Sequence, residues 1–254
     1  MLMTFTLPNG KKVAVKEFLY KHIRGLQLQG DCISSKLKYI EDFIITQNLN
    51  VIEQFITLLL LRKKCIKPTT SLHIDDADKE VHIDYILESF EDNISIKEKV
   101  NSGSIQLTLD YPSKFCINTT HLLSVIREIK IEDQRIIVDS LPEHEFLQVI
   151  DKLPAEILNV VDNFVTNNQK AFVFPLLSGR SNLYDINFLD PSPFVFIDTL
   201  FSCIDENSYR EYLFILSKRI GDVEFIINSP FVDILDYLEL YKRECEEENK
   251  KLKN

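Results

Sequence analysis

The chain has 254 residues, 45% of them hydrophobic and 27% charged, with a formal net charge of −10. That is enough apolar chain for a sizeable core, and it argues against disorder through most of the length. The acidic balance argues against a surface built to neutralise phosphate backbones, and the six glycines argue against glycine-rich nucleotide-binding loops.

The first predicted element is a tight β-hairpin, FTLPNGKKVAV, from Phe5 to Val15. Pro8 presets φ at the first corner, Asn9 tolerates the next, and Gly10 supplies the left-handed residue. Phe5 and Leu7 then face one side, and Val13 and Val15 do likewise on the return strand. Two strands alone are marginally stable, so the hairpin must rest on helices, on further strands or on another chain. Residues 16–31 are ambiguous, because Gly25 and Gly30 interrupt them. Leu37, Ile40 and Ile44, with Phe43 beside them, predict a helix. In residues 48–64, Ile52, Phe55, Ile56 and Leu59 make a stripe that Leu58 and Leu61 widen, which predicts a central helix. Arg62, Lys63 and Lys64 suit the negative end of its dipole.

Pro68 marks a change. From Thr69 to Ile117 the sequence is more β-like, and Ile105, Leu107, Leu109 and Tyr111 share one face. Residues 81–85 alternate briefly, while 78–90 could equally be a short helix. After His121 helices are expected to dominate. Ser140 and Glu143 form a capping box around Pro142. Residues 172–193 read as a long connection with short elements. Ser192 and Pro193 open a helix carrying Phe194, Phe196, Ile197, Leu200 and Phe201. Ser208 caps the next helix, Glu211 completes its box and Gly221 ends it. The last helix opens at Ser229 and Pro230, and fraying is expected beyond Cys245.

The expected fold is therefore α+β and predominantly α-helical, with an N-terminal β-hairpin, a small β-rich middle segment and a C-terminal helical bundle. The expected division is 1–66 for the hairpin and first helices, 67–118 for a β-rich insert, and 119–254 for the C-terminal helical region. Residues 1–66 and 119–254 form one compact unit if they pack together.

Chemistry-bearing patterns are weak. Cys32, Cys65, Cys116, Cys203 and Cys245 lack zinc-ligand or redox spacing, and an odd count without a secretory leader implies reduced thiols in a cytosol. The run FITLLLLRKK is far shorter than the roughly 20 residues that span a bilayer, so no membrane contact is expected. Asp76, Asp78 and Glu80 alternate like the start of a calcium loop, but Val81 stands where that loop needs glycine and Leu87 where it needs glutamate. His73 and His82 suit zinc only if the fold unites them with further ligands. Glu143, His144 and Glu145 are explained by helix capping and the dipole. Gly179 and Arg180 lack a phosphate-loop pattern. No catalytic, metal or cofactor residues, and no cofactor, are expected. Lys11 with Lys12, and Arg62, Lys63 and Lys64 with Lys67, are solvated surface or a contact for an acidic partner. The phenylalanines of the last third are core, and any exposed ones would form a partner-binding patch.

Three stretches taken together resemble the baseplate hub and hub-assembly proteins of T4-like tailed bacteriophages. They are FTLPNGKKVAVKEF, VNSGSIQLTLDYPSKF and SYREYLFILSKRIGDVEFIINSPFVDILDYLELYKRE. The resemblance implies a chaperone-like assembly factor rather than an enzyme, with baseplate hub proteins as partners and neither nucleic acid nor membrane. It places the chain in the host cell cytoplasm, or in the virion tail baseplate if it is a structural hub subunit. Homo-oligomerisation stays open. The candidate protein-binding residues are Phe5, Leu7, Lys11, Lys12, Val13 and Lys16. In that reading the hairpin accepts a partner strand, and its lysines discourage indiscriminate pairing while admitting an acidic partner. The rival is that Phe5, Leu7, Val13 and Val15 pack on the protein's own sheet within residues 69–117. A reading from another class is a cytosolic metal-dependent hydrolase using His73, His82 or His144, and a further one is a cytosolic bacterial adaptor.

Overall fold

The hairpin forms where the Pro-Asn-Gly turn predicts it. The structure, a computed structural model, describes residues 2–74, 77–90, 96–115, 122–132, 134–138, 141–178, 181–202 and 204–252. Strand β1 (Leu2–Thr6) pairs antiparallel with β2 (Lys12–Lys16), and Phe5 lies opposite Val13. Gly10 adopts φ +80 and donates its N–H to the Leu7 carbonyl at 2.8 Å, closing the turn.

Three helices follow: α1 (Tyr20–Gln27), α2 (Ile33–Glu41) and α3 (Val51–Cys65). Gly25 does not interrupt α1. It lies within the helix because Tyr39 of α2 packs against its bare Cα, and a Cβ there would overlap the Tyr39 ring and hydroxyl. Helix α3 is central. Val51, Ile52, Phe55, Ile56, Leu58, Leu59 and Leu61 all have 0% exposure, so its apolar surface is covered on every side.

Strands β3 (Thr69–Ile74) and β4 (Ala77–His82) form a second hairpin, and α4 (Ile83–Glu88) follows directly. The ambiguous segment 78–90 is thus strand first and helix second. Strands β5 (Glu98–Ser102), β6 (Ile105–Leu109), β7 (Ile126–Ile131) and β8 (Gln134–Ile137) make a four-stranded antiparallel sheet in that order. Two of these strands lie beyond His121, where helices were expected. A register shift between Thr108 and Leu109 makes Arg127 an extra residue on β7, so inward Ile126 and Ile129 sit three residues apart. That bulge hides the period-two pattern.

Helices α5 (Glu143–Ile150), α6 (Ala155–Asn167) and the short α7 (Gln169–Phe172) lead into β9 (Val173–Ser178) and β10 (Ser181–Asn187). The short elements expected in this connection are a strand pair; Pro175 is tolerated because, among the described residues, the hairpin is only two strands wide. Helices α8 (Ser192–Phe201), α9 (Glu206–Ile220), α10 (Val223–Asn228) and α11 (Phe231–Leu252) complete the chain. Helix α9 starts earlier than expected. Asp205 is its cap, accepting from the Ser208 N–H at 2.9 Å, so Ser208 lies inside the first turn. Gly221 ends it at φ +77, as expected. Helix α11 continues through the acidic stretch to Leu252 instead of fraying after Cys245. The proposed Ser140 cap lies outside the described residues, as do Asp76, Cys116, His121, Gly179, Arg180 and Cys203.

The fold is α+β and predominantly helical. One hydrophobic cluster draws on all three stretches of the sequence. The two ends of the chain meet within it. Tyr20 is fully buried, stacks on Tyr209 at 4.5 Å and donates its hydroxyl to the Tyr209 carbonyl at 2.7 Å. Its backbone N–H donates to the Ser229 carbonyl, and Leu19 bridges to Pro230.

Candidate partner-binding site

The hairpin is held on three sides. Its inner face is core: Leu7 is 2% exposed and Val13 and Val15 are 0%, with Met3 and Phe5 packed against the same cluster. The β3–β4 hairpin and the β5–β8 sheet are not its neighbours in any ladder, because β1 and β2 form a sheet of their own. Leu7, Val13 and Val15 nevertheless share one hydrophobic cluster with Leu107 and Leu109. Support comes from the helices and from the segment after α2. Lys16 donates its backbone N–H to the Phe43 carbonyl at 2.8 Å, and the Ile45 N–H donates to the Ala14 carbonyl at 2.9 Å. The Ala14 N–H finds the Thr46 hydroxyl at 2.8 Å. The outer edge of β2 is therefore covered.

The turn is fixed by a buried carboxylate. Glu53, in the first turn of α3, is 6% exposed. It accepts from the Asn9 side-chain amide at 3.0 Å, from Lys11 Nζ at 2.9 Å and from the Asn50 backbone N–H at 3.0 Å. Asn50 returns the bond as the cap of α3, accepting from the Glu53 N–H at 2.8 Å. Lys11 also donates to the Asn48 carbonyl at 3.1 Å. This lysine tethers the hairpin to α3.

The exit from β2 is fixed as well. His22 Nδ1 accepts the Leu19 N–H at 2.8 Å, and its ring stands edge-on to Phe43 at 4.9 Å. Burial, with the nearby Lys21 adding to it, lowers the His22 pKa from 6.5 to about 4. A neutral ring is needed to accept that hydrogen bond. Because the folded value lies below the unfolded one, stability is complete above pH 6.5 and falls as pH drops from 6.5 towards 4. Discounted for the ring's partial exposure, the loss is about 1–2 kcal/mol. His22→Asn keeps an acceptor and removes the titration. Urea midpoints at pH 7 and pH 4.5 should converge less for the parent than for this variant, and equal pH dependence in both would contradict the assignment.

What remains open is the far edge of β1. Leu7 donates its N–H to the Lys11 carbonyl, so the alternation of an antiparallel ladder points the Thr4 and Thr6 backbone groups outward. Among the described residues no strand pairs with that edge. Leu2 at its start is 67% exposed. Lys12 and Lys16 are exposed on β2 and have no ion-pair partner among the described residues.

No protein-family model matches the chain, and neither does any curated protein or solved structure. The site is therefore read from its own geometry.

The six hairpin residues do not form one surface. Leu7 and Val13 are in the core, Phe5 is half-buried, Lys11 holds Glu53, and only Lys12 and Lys16 face solvent. The missed element is the Thr4–Thr6 edge, since a sequence does not show which side of a hairpin the fold covers. The histidines are dispersed. His73 pairs across from Asp78 and His82 from Thr69, placing the two about 13 Å apart along the ladder. The His82 ring lies against Tyr85, and His144 is exposed on α5 beside Glu145. The described residues contain no group of three side chains suited to a metal ion, and among them no helix is long and apolar enough to cross a membrane. In the second basic cluster, Lys63 pairs with Asp84 and Lys67 with Glu80, while Arg62 is only 5% exposed. Of the late phenylalanines, Phe172, Phe174, Phe188, Phe194, Phe196, Phe201 and Phe231 are buried, whereas Phe214 is 59% and Phe225 49% exposed.

Proposed function

We propose that the protein is a chaperone-like binding factor in assembly of the baseplate hub of a T4-like phage, and that it receives its partner as a strand added to β1. The observation that carries the reading is the open β1 edge on a hairpin whose other edge, turn and inner face are all fixed. A strand held this rigidly loses little conformational freedom when a partner pairs with it. The family assignment rests on the three sequence stretches, and the edge gives such a factor a means of binding.

Deleting residues 1–16 would remove Val13 and Val15 from the core, so a backbone variant is the better test. Thr4→Pro removes an outward N–H that the hairpin itself does not use. Tagged parent and variant would be recovered late in infection from the cell that makes the protein, and bound chains identified by mass spectrometry. The parent should retain baseplate hub proteins and the variant should lose them, with equal helical circular dichroism. Equal recovery by the variant would move the contact elsewhere, and absence of hub proteins with the parent would refute the hub assignment. Copy number in purified virions separates an assembly factor from a retained hub subunit.

A further inference from the structure

The outward face of the β5–β8 sheet is basic, in a chain whose net charge is −10. Cross-strand register places Lys99, Thr108, Glu128 and Ile137 in one row. The next row, two residues along, is Asn101, Gln106, Lys130 and Arg135. Alternation puts both rows on the side opposite buried Leu107 and Ile129; Thr108 in the first row is itself only 5% exposed and Glu128 is partly buried, so the accessible positions are those around them. Lys99, Lys130 and Arg135 are exposed, as is Lys97 just before β5. Lys97, Lys99 and Lys130 have no ion-pair partner among the described residues.

Two details show what this face suits. Lys130 stands directly opposite Arg135, and like charges so placed weaken a sheet. The fold keeps two cations where an acidic residue would pair better. The second detail is Glu128, which accepts from Arg135 at 2.7 Å. That bond, with Lys99 and Lys97 nearby, holds its carboxyl below the usual carboxylate range. The face thus already houses one carboxylate. A long phosphate backbone fits less well, since the cations are few and the chain as a whole would repel it.

We propose that this sheet face binds an acidic segment of a partner protein, whose carboxylates sit beside Lys99 and Lys130 as Glu128 sits beside Arg135. Lys99 and Lys130 lie two strands and two residues apart, about 12 Å, comparable to the roughly 13–14 Å between same-side residues four apart in an extended segment. The proposal does not depend on the β1 edge or on the hub assignment.

The test uses the full chain and a fluorescein-labelled peptide of four Ser-Glu repeats, followed by anisotropy. Saturable binding is expected at 50 mM salt, weakening at least tenfold at 300 mM, and a Ser-Gln peptide should not bind. Lys99→Glu and Lys130→Glu should each weaken binding fivefold or more. Lys130→Glu should not lower the melting temperature, because it faces Arg135; this separates lost binding from lost folding. Absence of saturable binding, or unchanged binding in both variants, would overturn the proposal. So would an oligothymidine of eight nucleotides that binds more tightly than the peptide and is lost in the same variants.

Discussion

An Arg62→Met variant is expected to be about 2–4 kcal/mol less stable than the parent, with a lower urea midpoint. Arg62 sits near the end of α3 and is 5% exposed. Its Nε donates to the Leu200 carbonyl at 2.7 Å, and its two terminal nitrogens donate to the carbonyls of Lys67 at 2.7 Å and Thr69 at 3.4 Å. One side chain thus satisfies the end of α8, the exit from α3 and the start of β3. Methionine fills much of the volume but leaves the Leu200 and Thr69 carbonyls, both buried, without those donors, each costing about 1–3 kcal/mol. Relief from burying the guanidinium offsets part of this. Lysine should rescue little, since it keeps the charge and lacks the planar fork. A loss below about 1 kcal/mol in both variants would show that these carbonyls find other donors.

Glu53→Ala is the second large effect, expected at about 3 kcal/mol. It removes the acceptor shared by Asn9, Lys11 and the Asn50 N–H. Lys11 can turn to water, its side chain being 36% exposed, but the backbone N–H cannot. The Lys11→Ala single variant should therefore cost about 1 kcal/mol. A double-mutant cycle should show clear coupling between the two, and additivity would mean that the ion pair is not what fixes the turn. Glu53→Gln should fall between, keeping an acceptor without the charge.

Parts of this architecture could be read directly. Pro8, Asn9 and Gly10 specify the first turn, and the apolar surface of α3 announces a central helix. The signal for Arg62 was also present, because it lies seven residues after Phe55, four after Leu58 and three after Leu59. That places it on the buried stripe, although its position near a helix end made a dipole cation the simpler reading. Asn50 and Glu53 have capping-box spacing, which locates the start of α3 but does not reveal that the carboxylate also receives Lys11. Strand β8 is only four residues long, and β7 was hidden by a bulge, a property of two strands together rather than of either sequence. The open edge of β1 is of the same kind: it depends on residues 43–46 having taken the other side.

The pairing of Leu19 and Tyr20 with Pro230, Ser229 and Tyr209 bears on how the protein is made. A ribosome adds about 5–20 residues per second, so on the order of 10–40 s separates emergence of α1 from that of its permanent partners. Through that interval Tyr20, Ile23 and Leu26, all buried in the finished fold, lack the C-terminal surface that helps cover them. The nascent N-terminus is therefore a natural substrate for ribosome-associated holding factors, and truncated chains ending before residue 230 should be the ones that aggregate.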